Sequence, residues 1–594
     1  MNLKYSLCLL GLVSKVLTAN FSVVSFGTNC ELNVGGKIYP MAKEQDIPLF
    51  KVSAPVSLKS KYKYVCDGKE DVERELTSEN THNELIGRAL TLYNMPEFGY
   101  PNAEPWERSI GRTELFDPKY VPIAIIDTDE KFFVKAHSTN FDKITFILQD
   151  KVFSFNDVPV STKNTDEDKF QFRITLPDGG IYHRDVLKFR PSAYDPVFFR
   201  QILYGDIAHA IGNPTHESIA IRVYLNDGTG IGLWVLQEDC TSESFIRTTF
   251  FGNPKTGDIL NYTPNNIYDC ATGADFTASD GKSLGSFISN NEKDQKIELL
   301  AMTKKLEKLD VSNLNAVKDF DGNDFDLDTL FKALALEYLA GHWDSYWFLS
   351  TNFVTYHPID KISASNYRFY FIDQDFDQTW GIGMSENYDP EHFPLKPYTE
   401  YLKVNWRKFT GESYDTETRI IVDKLIGCDG LPTCPTKKLF EDHLKSIVQH
   451  IFNPVAMKRK VEGYKERLME EMTWEFSLPH LHQGSTQKYQ FTMNDFINNI
   501  EGANYEGCVF YWGIMDWTTA ICDTVCKQFN IKYDEVPYDP VTAAQQKDDP
   551  IDPGSKYDPK ANLHNSGSIP SFLTTFNLKL TFILSMLSII ILFI

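Results

Sequence analysis

The sequence predicts an α+β protein with a small N-terminal β-sandwich, a mixed central region and a helical C-terminal region. Three observations carry this. Residues 20–75 alternate polar and apolar over short runs, as half-buried strands do. Between 121 and 236, several short alternating runs surround a single stretch with helical spacing. From 411 to 535 the pattern is mostly helical, with a charged amphipathic run over 455–474. At 594 residues the chain is too long for one compact core, so two or three domains are expected.

Taken in order, residues 1–19 read as a signal peptide: a basic start at Lys4, a brief apolar run over 7–13, and a small-residue exit at Ala19. The sandwich and a polar, proline-bearing connector with some helix fill 20–110, with strands at 21–24, 30–34 and 62–65 and a turn at Gly35-Gly36. Strands follow at 121–126, 135–148, 170–174 and 186–190, then a helix over 196–211 ending at Gly212. Asn226-Asp227-Gly228 between 219–225 and 231–236 is a hairpin signal. A helix is expected within 281–310, a second over 328–339 ending near Gly341, and a buried strand at 369–372. Asp319-Phe320-Asp321-Gly322-Asn323-Asp324-Phe325-Asp326 has the look of a calcium loop, but its glycine falls at the wrong position for an EF-hand, and a helix-capping turn is the better reading. Five prolines among polar residues make 536–565 a flexible stalk. Asn565-Ser566-Gly567, a spacer and an uncharged tail over 580–594 form the pattern of GPI attachment, with Asn565 as the attachment residue and 566–594 as the propeptide removed. The expected location is the outer face of a cell membrane, or a wall or spore surface.

The formal net charge of −22 excludes nucleic acid as a partner and disfavours peripheral binding to anionic lipid. The ten cysteines suit an oxidising compartment. Removal of Cys8 leaves nine, and proximity suggests Cys30 with Cys66, Cys240 with Cys270, and Cys428 with Cys434, while Cys508 can meet only one of Cys522 and Cys526. Asn261-Tyr262-Thr263 is a glycosylation sequon, and Asn20-Phe21-Ser22 is a second at the mature N-terminus.

Two acidic clusters adjoin apolar elements. Gly341-His342-Trp343-Asp344 follows a helix, with Asn352 eight residues beyond Asp344. Asp373-Gln374-Asp375-Phe376-Asp377 follows a strand, and alternate carboxylates converge if the strand continues. Hard oxygen donors at this density suit Mg²⁺ or Mn²⁺. The order Asp, Asn, strand, Asp-Phe-x is similar to the phosphoryl-transfer layout of kinases.

The stretches 200–212, 223–228, 232–238, 337–344 and 371–381 carry a more specific likeness. Together they resemble the spore-coat-protein-H (CotH) kinase family over about residues 116–410. The leader, the anchor and the small β domain resemble its secreted, GPI-anchored members from mucoralean moulds. The resemblance implies an atypical protein-kinase-like fold at 116–410, extended by helices over 411–535, using ATP with Mg²⁺ or Mn²⁺. It implies transfer to Ser or Thr of a spore-coat or surface protein, Asp344 as the catalytic-loop aspartate, and Asp375 as the metal ligand assisted by Asp377 and Asn352. A phosphate-contacting lysine is expected at Lys169 or else Lys188, with Glu238 as a further nucleotide-site candidate or a structural strand-end carboxylate. The family's glycine-rich turn would fall on 156–165, which contains no glycine. Mould relatives are also linked to adhesion and invasion, so a host or cell-surface receptor is the alternative partner. The loop over 347–358 does not match the peptide associated with the invasive members.

Overall fold

Cys30 and Cys66 face each other across two antiparallel strands, Cys30–Val34 and Lys61–Cys66, and are joined by a disulfide. Their sheet packs on another in which Thr18–Val24 runs antiparallel to Leu49–Pro55 and parallel to Asn80–Leu85. Phe21, Leu32, Tyr64 and Leu76 fill the space between the sheets, which is the sandwich expected from the alternation. This is a computed structural model; it describes residues 18–539 apart from 102–105, 107, 130, 263–264, 280, 359–367, 412–417, 483 and 485–489. Residues 1–17 of the expected signal peptide, nearly all of the stalk, and the anchor segment with Asn565 lie outside the described residues. The first strand already includes Thr18 and Ala19, two residues ahead of the expected mature start.

Residues 80–85 were expected in a connector with some helix and instead form a strand. Its polar side chains hide the pattern, because their partners lie across the sheet. Ser22 N–H donates to Thr81 Oγ1 at 3.1 Å, Ser22 Oγ to Asn83 Oδ1 at 2.8 Å, and Tyr64 OH to Glu84 Oε2 at 2.7 Å.

Seven strands then close into a barrel: β1 (Ile123–Asp127), β2 (Thr139–Ile147), β3 (Val152–Lys163), β4 (Gln171–Thr175), β5 (Val186–Arg190), β6 (Ser218–Leu225) and β7 (Gly230–Glu238), with β6 lying between β1 and β7. Phe132, Phe141, Phe170, Phe172, Phe189 and Trp234 pack inside it. The β6–β7 hairpin matches the expectation. β3 does not: its 12 residues include most of 156–165, so the stretch aligned with a glycine-rich turn is paired strand as far as Lys163. The chain turns only at Asn164, whose φ is 57°, a conformation asparagine tolerates without glycine. Helix α1 (Arg200–Ala210) lies where expected, with Gly212 at φ 77° just beyond it.

A four-stranded sheet supports the rest of the fold. It is formed by β8 (Ile267–Cys270), β9 (Phe287–Ser289), β10 (Phe353–Tyr356) and β11 (Tyr370–Asp373), in the order β9-β8-β10-β11. Helix α2 (Leu327–Ala340) is capped by Asp326, whose side chain accepts from Thr329 N–H; of the acidic run expected as a capping turn, 319–323 instead ends a helix, Leu314–Asn323, and from there Asp321 accepts from Leu327 N–H at 2.9 Å. Gly341 ends α2 in the left-handed region, and a Cβ there would lie 2.3 Å from the Trp517 ring. Helices α3 (Pro435–His450), α4 (Pro454–Ser477) and α5 (Ile514–Phe529) complete the helical region. The described residues form one compact unit, and Val24, Leu49 and Leu85 of the sandwich share a core with Ile123, Ile147 and Tyr224 of the barrel.

Cys428 and Cys434 are bonded as expected, but Cys240 and Cys270 are not. Cys240 Sγ donates to Gln374 Oε1 at 3.0 Å, and both thiols are buried in separate packing contacts. Cys508 is also unbonded, and Cys522 and Cys526 lie a turn apart on α5 with sulfurs 4.0 Å apart.

α4 is held to α1 by buried charge. Asp206 pairs with Lys460 at 2.8 Å and accepts from Arg112 Nη2 at 2.6 Å, and Lys460 is 1 % exposed. Burial would raise the Asp206 pKa, but Lys460 and Arg112 outweigh it and hold the carboxyl at about 2. A depressed carboxylate stabilises the fold above its ordinary pKa and loses that contribution as pH falls through the folded value. Denaturation of the wild-type protein is therefore expected to become easier between about pH 4 and pH 2. Asp206→Asn, which strands Lys460, is expected to cost about 3–5 kcal/mol at pH 7 in a urea titration.

Candidate active site

A cleft of about 320 Å³ opens between the barrel and the β10–β11 sheet. Lys163 and Asn164 from the end of β3 and Arg190 from the end of β5 line one side. Asp344, Asn352, Asp375 and Asp377 line the other.

The acidic side is built by two chain reversals. Gly341 ends α2, and Asp344 follows on the loop beyond. Asn352 has φ 52° and donates from Nδ2 to the Asp344 carbonyl at 2.9 Å. β11 ends at Asp373, and Asp375 has φ 65°. Asparagine and aspartate are the side chains that enter this region most readily after glycine. The Asp375 turn is clamped from both ends: His342 Nε2–H donates to its carbonyl at 3.0 Å, and Phe376 N–H donates to Gln201 Oε1 at 2.8 Å.

This break divides the acidic triplet that strand alternation would have gathered. Asp375 and Asp377 reach the cleft, whereas Asp373 points into the core. There it accepts from Tyr204 OH at 2.8 Å and is hydrogen-bonded to Glu337. Glu337 Oε2 accepts from Ser345 Oγ at 2.7 Å and from Trp347 N–H at 2.9 Å. Burial pushes the Glu337 carboxyl up to about 7, and burial together with the Glu337 charge raises Asp373 well above the ordinary carboxylate range. The pair holds a proton near neutral pH, directly beneath the Asp375 turn.

In the cleft, the Arg190 guanidinium bridges the two acidic residues. Nη1 contacts Asp375 Oδ1, and Nη2 lies 3.1 Å from Asp377 Oδ1. Asp344 is pushed up to about 6, mainly by burial, against the hydrogen bond from Asn352. Burial and the neighbouring charges of Lys188 and Arg190 lower the pKa of Lys163. The donor set of Asp344, Asn352, Asp375 and Asp377 is hard oxygen and suits Mg²⁺ or Mn²⁺. Among the described residues, no three histidine, cysteine or acidic side chains are gathered closely enough to hold a metal as they stand; Arg190 occupies the space between two of these carboxylates.

The nucleotide-site candidates are placed differently from the sequence expectation. Lys169 is not in the cleft. It is 8 % exposed, donates to Glu475 Oε1 at 2.5 Å and to the Leu233 carbonyl at 2.6 Å, and lies over the Trp234 ring. Position before β4 suggested it, but α4 covers that end of the barrel. Glu238 is likewise structural: it accepts from Arg184 Nε at 2.7 Å, Thr248 Oγ1 at 2.9 Å and Glu217 N–H at 2.9 Å. Lys188 pairs with Asp239 at 3.0 Å, one step behind the cleft. Sequence reasoning missed Lys163 and Arg190. Alternation along β5 places Arg190 on the same face as Lys188 and was the available signal. Asn261 is exposed, while Thr263 of its sequon lies outside the described residues.

Residues 162–500, more than half of the chain, match the family described as CotH kinase protein. Invasin CotH3 of Rhizopus delemar is 26% identical over 558 residues, covering 89% of this chain and 88% of that protein. Invasin CotH7 of the same organism is 28% identical over 517 residues, covering 84% and 81%. Spore coat protein homolog 1, also from Rhizopus delemar, is 26% identical over 506 residues, covering 82% and 78%. The chain belongs to the CotH kinase protein family.

Two stability measurements check this placement. Lys169→Met strands the buried Glu475 and is expected to cost about 3–5 kcal/mol, whereas Lys163→Met, at the exposed cleft edge, is expected to change stability by less than about 0.5 kcal/mol. Equal losses would contradict the assignment. In Glu337→Gln the amide oxygen accepts the same two bonds and its NH₂ faces Asp373. A carboxyl raised above its ordinary value stabilises when protonated and loses that contribution as pH rises. The stability of Glu337→Gln relative to wild type is therefore expected to increase from pH 4.5 through neutrality, read by chemical denaturation at each pH.

Proposed function

We propose that this protein is a metal-dependent phosphotransferase with a protein-kinase-like layout, moving the γ-phosphoryl group of ATP to a Ser or Thr hydroxyl of a protein substrate. The observation that carries this is the opposition, across one cleft, of a cationic wall (Lys163, Arg190) and an acidic wall (Asp344, Asn352, Asp375, Asp377).

Lys163 and Arg190 are placed to offset phosphate charge, with Lys188 behind them in support. Asp344, its proton affinity raised by burial, orients the attacking hydroxyl and accepts its proton. The new oxygen–phosphorus bond then forms as the bond to the ADP oxygen breaks. Asp375, Asp377 and Asn352 would hold Mg²⁺ or Mn²⁺, which when bound neutralises charge on the phosphates. Arg190 bridges Asp375 and Asp377. Asn164 takes the place of the missing glycine-rich turn at the rim of the cleft.

A second reading is favoured by the names of the relatives, two of them invasins. In that reading the protein acts at the cell or spore surface as an adhesive or wall-organising module that meets a host or cell-surface receptor. The leader and a GPI anchor at Asn565 would deliver it there. The readings are compatible, because ATP is scarce outside the cell and phosphorylation would then belong to passage through the secretory pathway.

Calorimetry with ATP and Mn²⁺ is expected to show metal-dependent binding and, on incubation, autophosphorylation, both lost in Asp375→Ala. Absence of nucleotide binding by folded wild-type protein would sink the phosphotransfer reading. In a cell-binding assay the adhesive reading expects Asp344→Ala and Asp375→Ala to bind as well as wild type.

A further inference from the structure

Away from the cleft, where the sandwich, the barrel and α4 meet, three guanidinium groups surround one carboxylate. Arg88 follows the last strand of the sandwich, Arg222 lies on β6, and Arg467 and Glu471 are one turn apart on α4. Their exposures are 0 %, 3 %, 2 % and 0 %. Arg222 Nε donates to Glu471 Oε2. The other two arginines only approach Glu471 Oε1, with Arg88 Nη1 at 3.6 Å and Arg467 Nη1 at 3.8 Å.

The charges do not balance. Three cations face one anion, leaving two positive charges in excess in a dry setting. Glu470, next along α4, does not help, because its carboxylate is turned to the amides of Ala89 and Leu90 at 2.7 and 3.1 Å. The donors do not balance either. Arg467 Nε, Nη1 and Nη2 and Arg88 Nε and Nη2 are buried with no hydrogen-bond partner among the described residues. A buried guanidinium in this state costs several kcal/mol. Consistent with this, burial, Arg88 and Arg222 together outweigh Glu471 and lower the Arg467 pKa to about 10.

Beside Arg467 is a crevice of about 20 Å³, lined also by Tyr120, by Arg112 and by Asp206, whose carboxylate is already paired with Arg112 and Lys460; Arg88 and Arg222 do not line it. That is room for one water-sized particle and too little for phosphate or sulfate. A water supplies acceptor lone pairs but no charge. We propose that the excess positive charge of Arg88, Arg222 and Arg467 draws a monatomic anion, chloride under secretory and extracellular conditions, into the crevice against Arg467, where it binds α4 to the barrel.

The test is thermal unfolding of the purified full-length chain at constant ionic strength, with chloride exchanged for gluconate. The melting temperature is expected to rise by about 1–3 °C for each tenfold increase in chloride above its dissociation constant. Bromide should act likewise, and Arg467→Met should remove the dependence. A melting temperature indifferent to halide, or a dependence retained in Arg467→Met, would overturn the proposal. Should Arg467→Met fail to fold, crystals of the wild-type protein grown in bromide supply a second readout. An anomalous peak in contact with the Arg467 guanidinium supports the site; a water or nothing at that position overturns it.

Discussion

Charge buried along helix α4 is the constraint on which the arrangement of the molecule depends. Lys460, Arg467 and Glu471 are each 2 % exposed or less, on a helix that reads in the sequence as charged and amphipathic. Charged residues of α4 reach different parts of the fold: Lys460 to Asp206 on α1, Glu471 to Arg222 on β6, and Glu475 to Lys169 just before β4. Breaking such a pair leaves an unpaired charge in a medium that solvates it poorly. α4 therefore has one seat, and the barrel and α1 are located against it.

The cleft follows from that seat. With Lys169 drawn away to Glu475, the cations left facing the acidic wall are those at the ends of β3 and β5. Arg190 takes up Asp375 and Asp377 together, one cation between two carboxylates. Beneath it the protonated Glu337–Asp373 pair and the His342 clamp support a backbone turn that aspartate can adopt but most residues cannot. The core thus supports the acidic wall, and substitutions several residues from the cleft are able to disturb it.

Much of this was legible in the sequence. Alternation located β4, β5 and the β6–β7 hairpin, because each has one face in the barrel core. The ends of α2 were legible because Asp326 and Gly341 are local signals that act within a turn. Asp344, Asn352, Asp375 and Asp377 were legible as a set because they sit where elements end, and the structure brings them to one cleft. The strand over 80–85 was not legible, since its buried residues are polar and are satisfied by Ser22 and Tyr64 from distant strands. Nor was the separation of Asp373 from Asp375, which depends on where β11 stops and on His342 and Gln201 holding the turn.

The sequence by itself determined the α+β character, the family and the residue types of the acidic wall, and its spacing suggested the Cys30–Cys66 and Cys428–Cys434 pairings. These depend on periodicity, caps and short-range spacing, which are properties of neighbouring residues. Tertiary structure alone decided which cations meet that wall, that Cys240 and Cys270 stay apart, and that the charges of α4 are buried. Those outcomes depend on which surfaces cover one another across hundreds of residues, and a lysine or arginine has the same local signature whether it ends in solvent, in a cleft or against a buried carboxylate.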